Sequence, residues 1–130
     1  MTHSPTQEIF QLCRRVAIDV IGASNTFDFL PGKDTAYPFI FVGEQYNFDT
    51  ANKTAVHANV TQYIHFYHND SKERGTLSNL INQFIAEIRK KTHTSHYYVN
   101  IVSLNTRMLT DNTTATPLMH GVIDIEFKLY

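Results

Sequence analysis

Close to the C-terminal end the chain alternates with a period of two: Ile123, Ile125, Phe127 and Leu129 are apolar, and Asp124, Glu126 and Lys128 between them are charged. Strand side chains point to opposite faces in turn, so this pattern reads as a strand with one face on a core and one toward water. A chain that contains it must build a sheet and also supply an apolar cover for one side of that sheet.

Two helical stripes supply the cover. Ser4-Pro5-Thr6-Gln7 sets a capping serine, a proline at the first helical position and a glutamine three residues after the cap. Ile9, Cys13, Val16, Ala17 and Val20 then recur at helical spacing, and Gly22 supplies the stop. His68-Asn69-Asp70-Ser71 is turn and cap chemistry, and Leu77, Leu80, Ile81, Phe84, Ile85 and Ile88 form a second stripe, which predicts a helix over roughly 71–91.

Three further runs read as strands. Pro38-Phe39-Ile40-Phe41-Val42 is a continuous apolar run that suits a strand covered on both faces. From Ala58 to Tyr67, Val60, Gln62, Ile64 and Phe66 share one face while Thr61, Tyr63, His65 and Tyr67 share the other. Tyr97 to Leu104 is aromatic and β-branched. Turn formers around Phe27-Asp28-Phe29-Leu30 predict a loop with at most a short strand; Asn47 to Lys53 reads as a hairpin or loop, and Asp111-Asn112-Thr113-Thr114 breaks the last strand pair. The fold class is therefore α+β: a mostly antiparallel sheet of about four strands with two helices on one face, in the order α-β-β-α-β-β. At 130 residues this is one domain spanning 1–130.

Charge excludes several function classes. Eleven Lys+Arg against twelve Asp+Glu give a formal net charge of −1, which builds no field toward nucleic acid or an anionic membrane. The basic cluster Arg89-Lys90-Lys91 falls at a predicted helix end, where it complements the helix dipole. The single cysteine, Cys13, lies on a core stripe and reads as a small buried hydrophobe. Met1 to Pro5 has no signal-peptide character, and no apolar run approaches membrane-spanning length, so cytoplasmic synthesis without membrane contact is expected.

Candidate chemistry fails on spacing. His65 and His68 lie three apart at a strand end and point to opposite faces, and His93 and His96 sit in a polar connection without a neighbouring cysteine or carboxylate, so no metal is expected. Lys33 after Pro31-Gly32 lacks the rest of a phosphate loop, and no nucleophile elbow occurs. Asp124 and Glu126 share a strand face, but Lys128 continues it, which favours a solvated face over a catalytic pair. No catalytic, metal-binding or cofactor-binding residue is assigned, and no cofactor is expected. The strongest signal is the aromatic face carrying Tyr63, His65 and Tyr67, with Tyr97 or Tyr98 as companions. Such amphipathic rings fit either a protein interface or a face covered by a loop of the same chain, and sequence physics does not choose.

Three local patterns in this order resemble the tail-completion, or tail-terminator, proteins of long-tailed bacteriophages. Tyr37-Pro38-Phe39-Ile40-Phe41-Val42 is similar to that family's proline-led strand after the first helix and loop. Thr61-Gln62-Tyr63-Ile64-His65-Phe66-Tyr67 running into His68-Asn69-Asp70-Ser71 resembles its long strand, polar cap and second helix. The loop at Asp111 leading to His120-Gly121-Val122-Ile123-Asp124-Ile125-Glu126-Phe127 resembles its closing strand. The resemblance implies a structural virion protein, not an enzyme. Its partners would be further copies of itself in a ring, commonly a hexamer, the tail-tube protein, and a head-tail connector or neck protein. DNA would pass through without being read. Joined to the aromatic face, it suggests subunit or partner contacts at Tyr63, His65 and Tyr67 and at Asp111, Asn112 and Thr113, docking by the polar segments 47–55 and 105–116, and a lumen face with which Asp124 and Glu126 are compatible. The competing readings are a head-side neck protein and, from a different class, a small oligomeric α+β enzyme or ligand-binding domain, which a deep pocket holding His65 with a carboxylate would favour.

Overall fold

A computed structural model describes residues 4–32, 34–48, 58–70, 72–111 and 117–130. Helix α1 (Pro5–Ile21) begins as its sequence dictates: the Gln7 N–H donates to Ser4 Oγ at 3.2 Å, and Pro5 occupies the first turn. It ends where Gly22, at φ +95°, returns its N–H to the Ile18 carbonyl at 2.8 Å, a conformation few other residues adopt cheaply. A short 3-10 turn (Ala23–Asn25) leads into strand β1 (Thr26–Phe27). Then come β2 (Phe39–Phe48), β3 (Ala58–His68), helix α2 (Arg74–Ile88), β4 (Val99–Asp111) and β5 (Leu118–Leu129).

The strands form one sheet in the order β1-β2-β3-β5-β4. The β2–β3, β3–β5 and β5–β4 pairs are antiparallel, and β1 runs parallel to β2 at Ile40 and Phe41. The class is the expected α+β with both helices on one face. The strand count rises from about four to five because the Phe27 patch contributes a two-residue strand.

Three boundaries differ from expectation. Strand β4 extends to Asp111, so residues 105–111 are strand rather than loop. Their polarity misleads because β4 pairs on one side only and carries exposed side chains on both faces, with Leu104 and Met108 as the apolar contacts that this part of the strand makes with the core. Strand β2 continues past Gly43 to Phe48, taking in Asn47 from the expected hairpin. Helix α2 starts at Arg74, because Asp70 spends its side chain on the Lys72 N–H in a turn before the helix; it ends at Ile88, with Arg89 as its C-cap. The expected features at Lys33, residues 49–57, Ser71 and 112–116 lie outside the described residues.

The core lies between the helices and one sheet face. Ile9, Cys13, Val16 and Ala17 of α1 and Leu77, Phe84 and Ile88 of α2 are fully buried against Ile40, Val42, Ile64, Phe66, Ile123, Ile125 and Leu129. Phe66 and Phe84 meet edge to face with centroids 5.9 Å apart. Each such side chain contributes roughly 1.5–3 kcal/mol of burial. Burial holds the Cys13 thiol far above its ordinary pKa, as expected of a core residue.

Gln62 is a polar residue within this core, with no exposed surface. Its amide nitrogen donates to the carbonyls of Gly43 at 3.0 Å, Glu44 at 3.2 Å and Tyr63 at 2.9 Å, and its oxygen accepts from Gln45 Nε2 at 2.7 Å. The β2–β3 register slips by one residue between Val42 and Gln45, a bulge, and Gln62 satisfies the backbone groups that the bulge frees.

Candidate functional site

The face of the sheet away from the helices carries a group of rings built by strand register. His65 lies opposite Phe41 on β2 and Val122 on β5, and Tyr67 lies opposite Phe39 and His120. Tyr67 stacks on His120 with centroids 4.3 Å apart and planes 11° from parallel, and on Phe39 at 5.1 Å. Phe41 stacks on His65 at 5.5 Å. Phe27 and Tyr37, from the segment before β2, close over Phe39 at 5.6 and 5.3 Å. That segment therefore covers one end of the face, while Tyr46, which meets Tyr63 edge to face, remains 54% exposed.

Polar groups thread through the rings. Glu44 Oε1 lies 2.7 Å from His65 Nε2, and His65 Nδ1 lies 2.8 Å from His120 Nε2. The β2 bulge turns Glu44 toward His65, and Gly43 leaves the room: a Cβ at Gly43 would come within 2.9 Å of His65 Cδ2. Burial pushes the His120 imidazole down to about 4, reinforced by the neighbouring His65. Burial raises the Glu44 carboxyl, but the hydrogen bond from His65, a backbone hydrogen bond and the charges of both histidines outweigh it, leaving its pKa below the ordinary value. Tyr67 is raised by burial, with Asp111, Glu44 and Tyr37 adding to the effect.

Of the residues singled out in the sequence, Tyr63, His65 and Tyr67 share this face, and Asp111 at the end of β4 is close enough for its charge to act on Tyr67 and His120. Asn112 and Thr113 lie outside the described residues. Asp124 and Glu126 occupy the same helix-free face, opposite Tyr63 and Thr61, and both are half-buried rather than freely solvated. Asp124 Oδ1 is buried without a hydrogen-bond partner. Tyr97 and Tyr98 stand apart at the start of β4, where Tyr98 is 72% exposed.

Sequence reasoning missed Glu44 and His120. His120 was within reach, because it shares the period-two phase of Asp124 and Glu126. Glu44 was not, because a bulge that no local pattern announces brings it to His65. His65 does meet a carboxylate, but on an open face: the Glu44 side chain is 52% exposed. The two bonds use opposite nitrogens of His65, so Glu44 and His120 cannot ligate one ion together with it. Among the described residues no group of three or more metal-type side chains converges, and no helix is long and apolar enough to cross a membrane.

A second polar cluster ties α1 to the α2–β4 connection. Glu8 Oε1 accepts from Thr94 Oγ1 at 2.6 Å and from the His96 N–H at 2.9 Å, and Glu8 Oε2 lies 2.7 Å from His96 Nδ1. These bonds occupy the carboxylate that borders a cleft of about 160 Å³ lined also by Gln11, Leu12, Arg15 and His93.

No protein-family model and no curated protein matches the chain. Among solved structures, a chain from the virion of a native gene transfer agent particle superposes with a TM-score of 0.57, over 97% of this chain and 94% of that one. The fold is shared with a virion chain. Identity is 13%, so the likeness is one of backbone architecture, carried end to end.

Proposed function

We propose that the chain is a structural virion protein that closes into a ring, a hexamer, at the head-proximal end of a phage tail. There it caps the tail tube, ends tail polymerisation and presents the surface that joins the head. The end-to-end fold likeness to a chain of a gene transfer agent virion carries this reading. It is supported by a sheet whose second face is free of helices and rich in half-buried rings, the composition expected where proteins meet.

A ring of identical subunits needs two different, mutually complementary patches on each. The Tyr67, His120 and Asp111 end of the helix-free face offers one. Asp124 and Glu126 lie further along β5, roughly 3.3 Å per residue from His120, and suit a lumen where acidic groups keep DNA from adhering. In this reading Tyr63, His65, Tyr67 and Asp111 contact a neighbouring subunit or the tube protein, with Asn112 and Thr113 continuing that contact. The chain is made in the host cytoplasm, ends in the virion, and takes no cofactor.

The likeness names a particle rather than a part of it, so a neck protein at the head-side connector has the same support. Mixing the purified chain with tail-tube subunits and imaging by electron microscopy separates the two. Tubes of bounded length with density at one end are expected; unaltered tubes together with binding to the head-side connector would assign the chain to the neck.

A further inference from the structure

We propose that Glu44, His65 and His120 form a proton-holding relay on the helix-free face, which stores one proton with all its hydrogen bonds intact and opens when a second arrives. The inference stands on the geometry of three side chains and does not depend on the assembly reading.

The bonds run in one line, from Glu44 Oε1 to His65 Nε2 at 2.7 Å and from His65 Nδ1 to His120 Nε2 at 2.8 Å. With both imidazoles neutral, His65 donates through Nε2 to the carboxylate and accepts at Nδ1 from the N–H of His120 Nε2. A proton arriving at His120 Nδ1 lets the Nε2 proton of His120 pass to His65 Nδ1. His65 is then an imidazolium paired with Glu44, and His120 is again neutral, now accepting at Nε2. Each bond survives with its direction adjusted, and the line changes from −1 to zero charge.

A second proton has no such place. On His120 Nε2 it would set two N–H donors against each other across 2.8 Å; on Glu44 it would remove the anion that holds the imidazolium. Either way the line breaks. The rings cannot easily swing to relieve the conflict, because Phe41 stacks on His65 and Tyr67 on His120. The Gly43–Glu44 bulge is held from the core side by Gln62.

The surroundings are consistent with one stored proton. Glu44 from β2 and Asp111 from β4 favour positive charge at His120, whereas burial, His65 from β3 and Arg107 from β4 oppose it. Tyr67 of β3 packs flat on the ring, and Asp124 of β5 lies on the same face of that strand. The balance leaves His120 accepting its own proton only near pH 4.

The test is a long-range imidazole ¹H–¹⁵N titration of the full chain from pH 8 to 3.5, with backbone amides followed in parallel. The expected result is two steps for the pair: a first that leaves the Gly43 and Glu44 amides in place, and a second near pH 4 that moves them. Glu44→Gln, a half-exposed and shape-conserving change, moves the first step to lower pH. His120→Gln leaves His65 with a single step, and the double variant Glu44→Gln/His120→Gln, which offers the second proton neither place, abolishes the low-pH amide shift. Far-UV circular dichroism verifies that each variant is folded. Two imidazoles that titrate independently of one another, or a low-pH amide shift that persists in the double variant, would overturn the proposal.

Discussion

His65 and His120 are diagonal neighbours across the β3–β5 pair, with Nδ1 of the first 2.8 Å from Nε2 of the second. Burial of His120, reinforced by this contact, has a consequence for stability. His120 titrates near 6.5 when unfolded and near 4 when folded, so between those values the unfolded chain binds more protons and stability rises with pH. This contribution is fully present above about pH 6.5 and is lost as pH falls through 4. It amounts to about 1–2 kcal/mol once solvent screening at a half-buried ring is allowed for. Urea unfolding at a series of pH values checks it, and a His120→Gln variant should show a flatter profile over that window.

A lower window belongs to the Glu8 cluster. Burial raises the Glu8 carboxyl, but hydrogen bonds from Thr94 and His96 and the His96 charge outweigh it, so the folded pKa lies below 4.5. Its stabilisation is present above that value and is lost as pH falls further. Glu8→Ala leaves the Thr94 hydroxyl and the His96 N–H without their acceptor, and is expected to cost about 2–3 kcal/mol in chemical denaturation. Lys90→Ala, which breaks an exposed ion pair with Glu87 within one helical turn, should cost under about 0.5 kcal/mol.

Gln62→Leu fills the same part of the core but offers nothing to the bulge carbonyls of Gly43 and Glu44. A loss of about 2–3 kcal/mol is expected. Because the bulge also aims Glu44, the hydrogen-bonded His65 Nε2 proton should exchange faster in this variant. A stability loss with that proton unchanged would mean that the bulge holds its shape without Gln62.

The two helices, their stripes and the three long strands that carry Ile40, Ile64 and Ile125 were legible in the sequence, because burial imposes a period that local order reveals. Residues 105–111 were misread as loop because β4 lies at the sheet edge, where most side chains are exposed and the stripe packed on the core thins to Leu104 and Met108. The two-residue β1 was legible only as a short strand within the loop at the Phe27 patch, because two residues carry too little pattern to count it among the main strands. Tyr63, His65 and Tyr67 were placed together by strand alternation alone. Their partners Glu44 and His120 come from other strands, so finding them needs the pairing register, and for Glu44 a bulge fixed by a glutamine across the sheet.

Phe84→Ala tests the core that this pattern predicts. It removes a fully buried ring from between α2 and Phe66 and should cost about 3–5 kcal/mol, whereas Tyr46→Ala on the exposed end of the helix-free face should cost far less. Thermal or urea unfolding of both variants under one condition decides between a helix-side core and one shared by both faces.

Cryo-electron microscopy of intact particles that encode this chain tests the virion assignment most directly. A closed ring of copies at the head-proximal end of the tail, with Tyr63 and Tyr67 against a neighbouring protein, is the expected result. Particles that lack the chain, or that hold it with the helix-free face turned to open solvent, would contradict it.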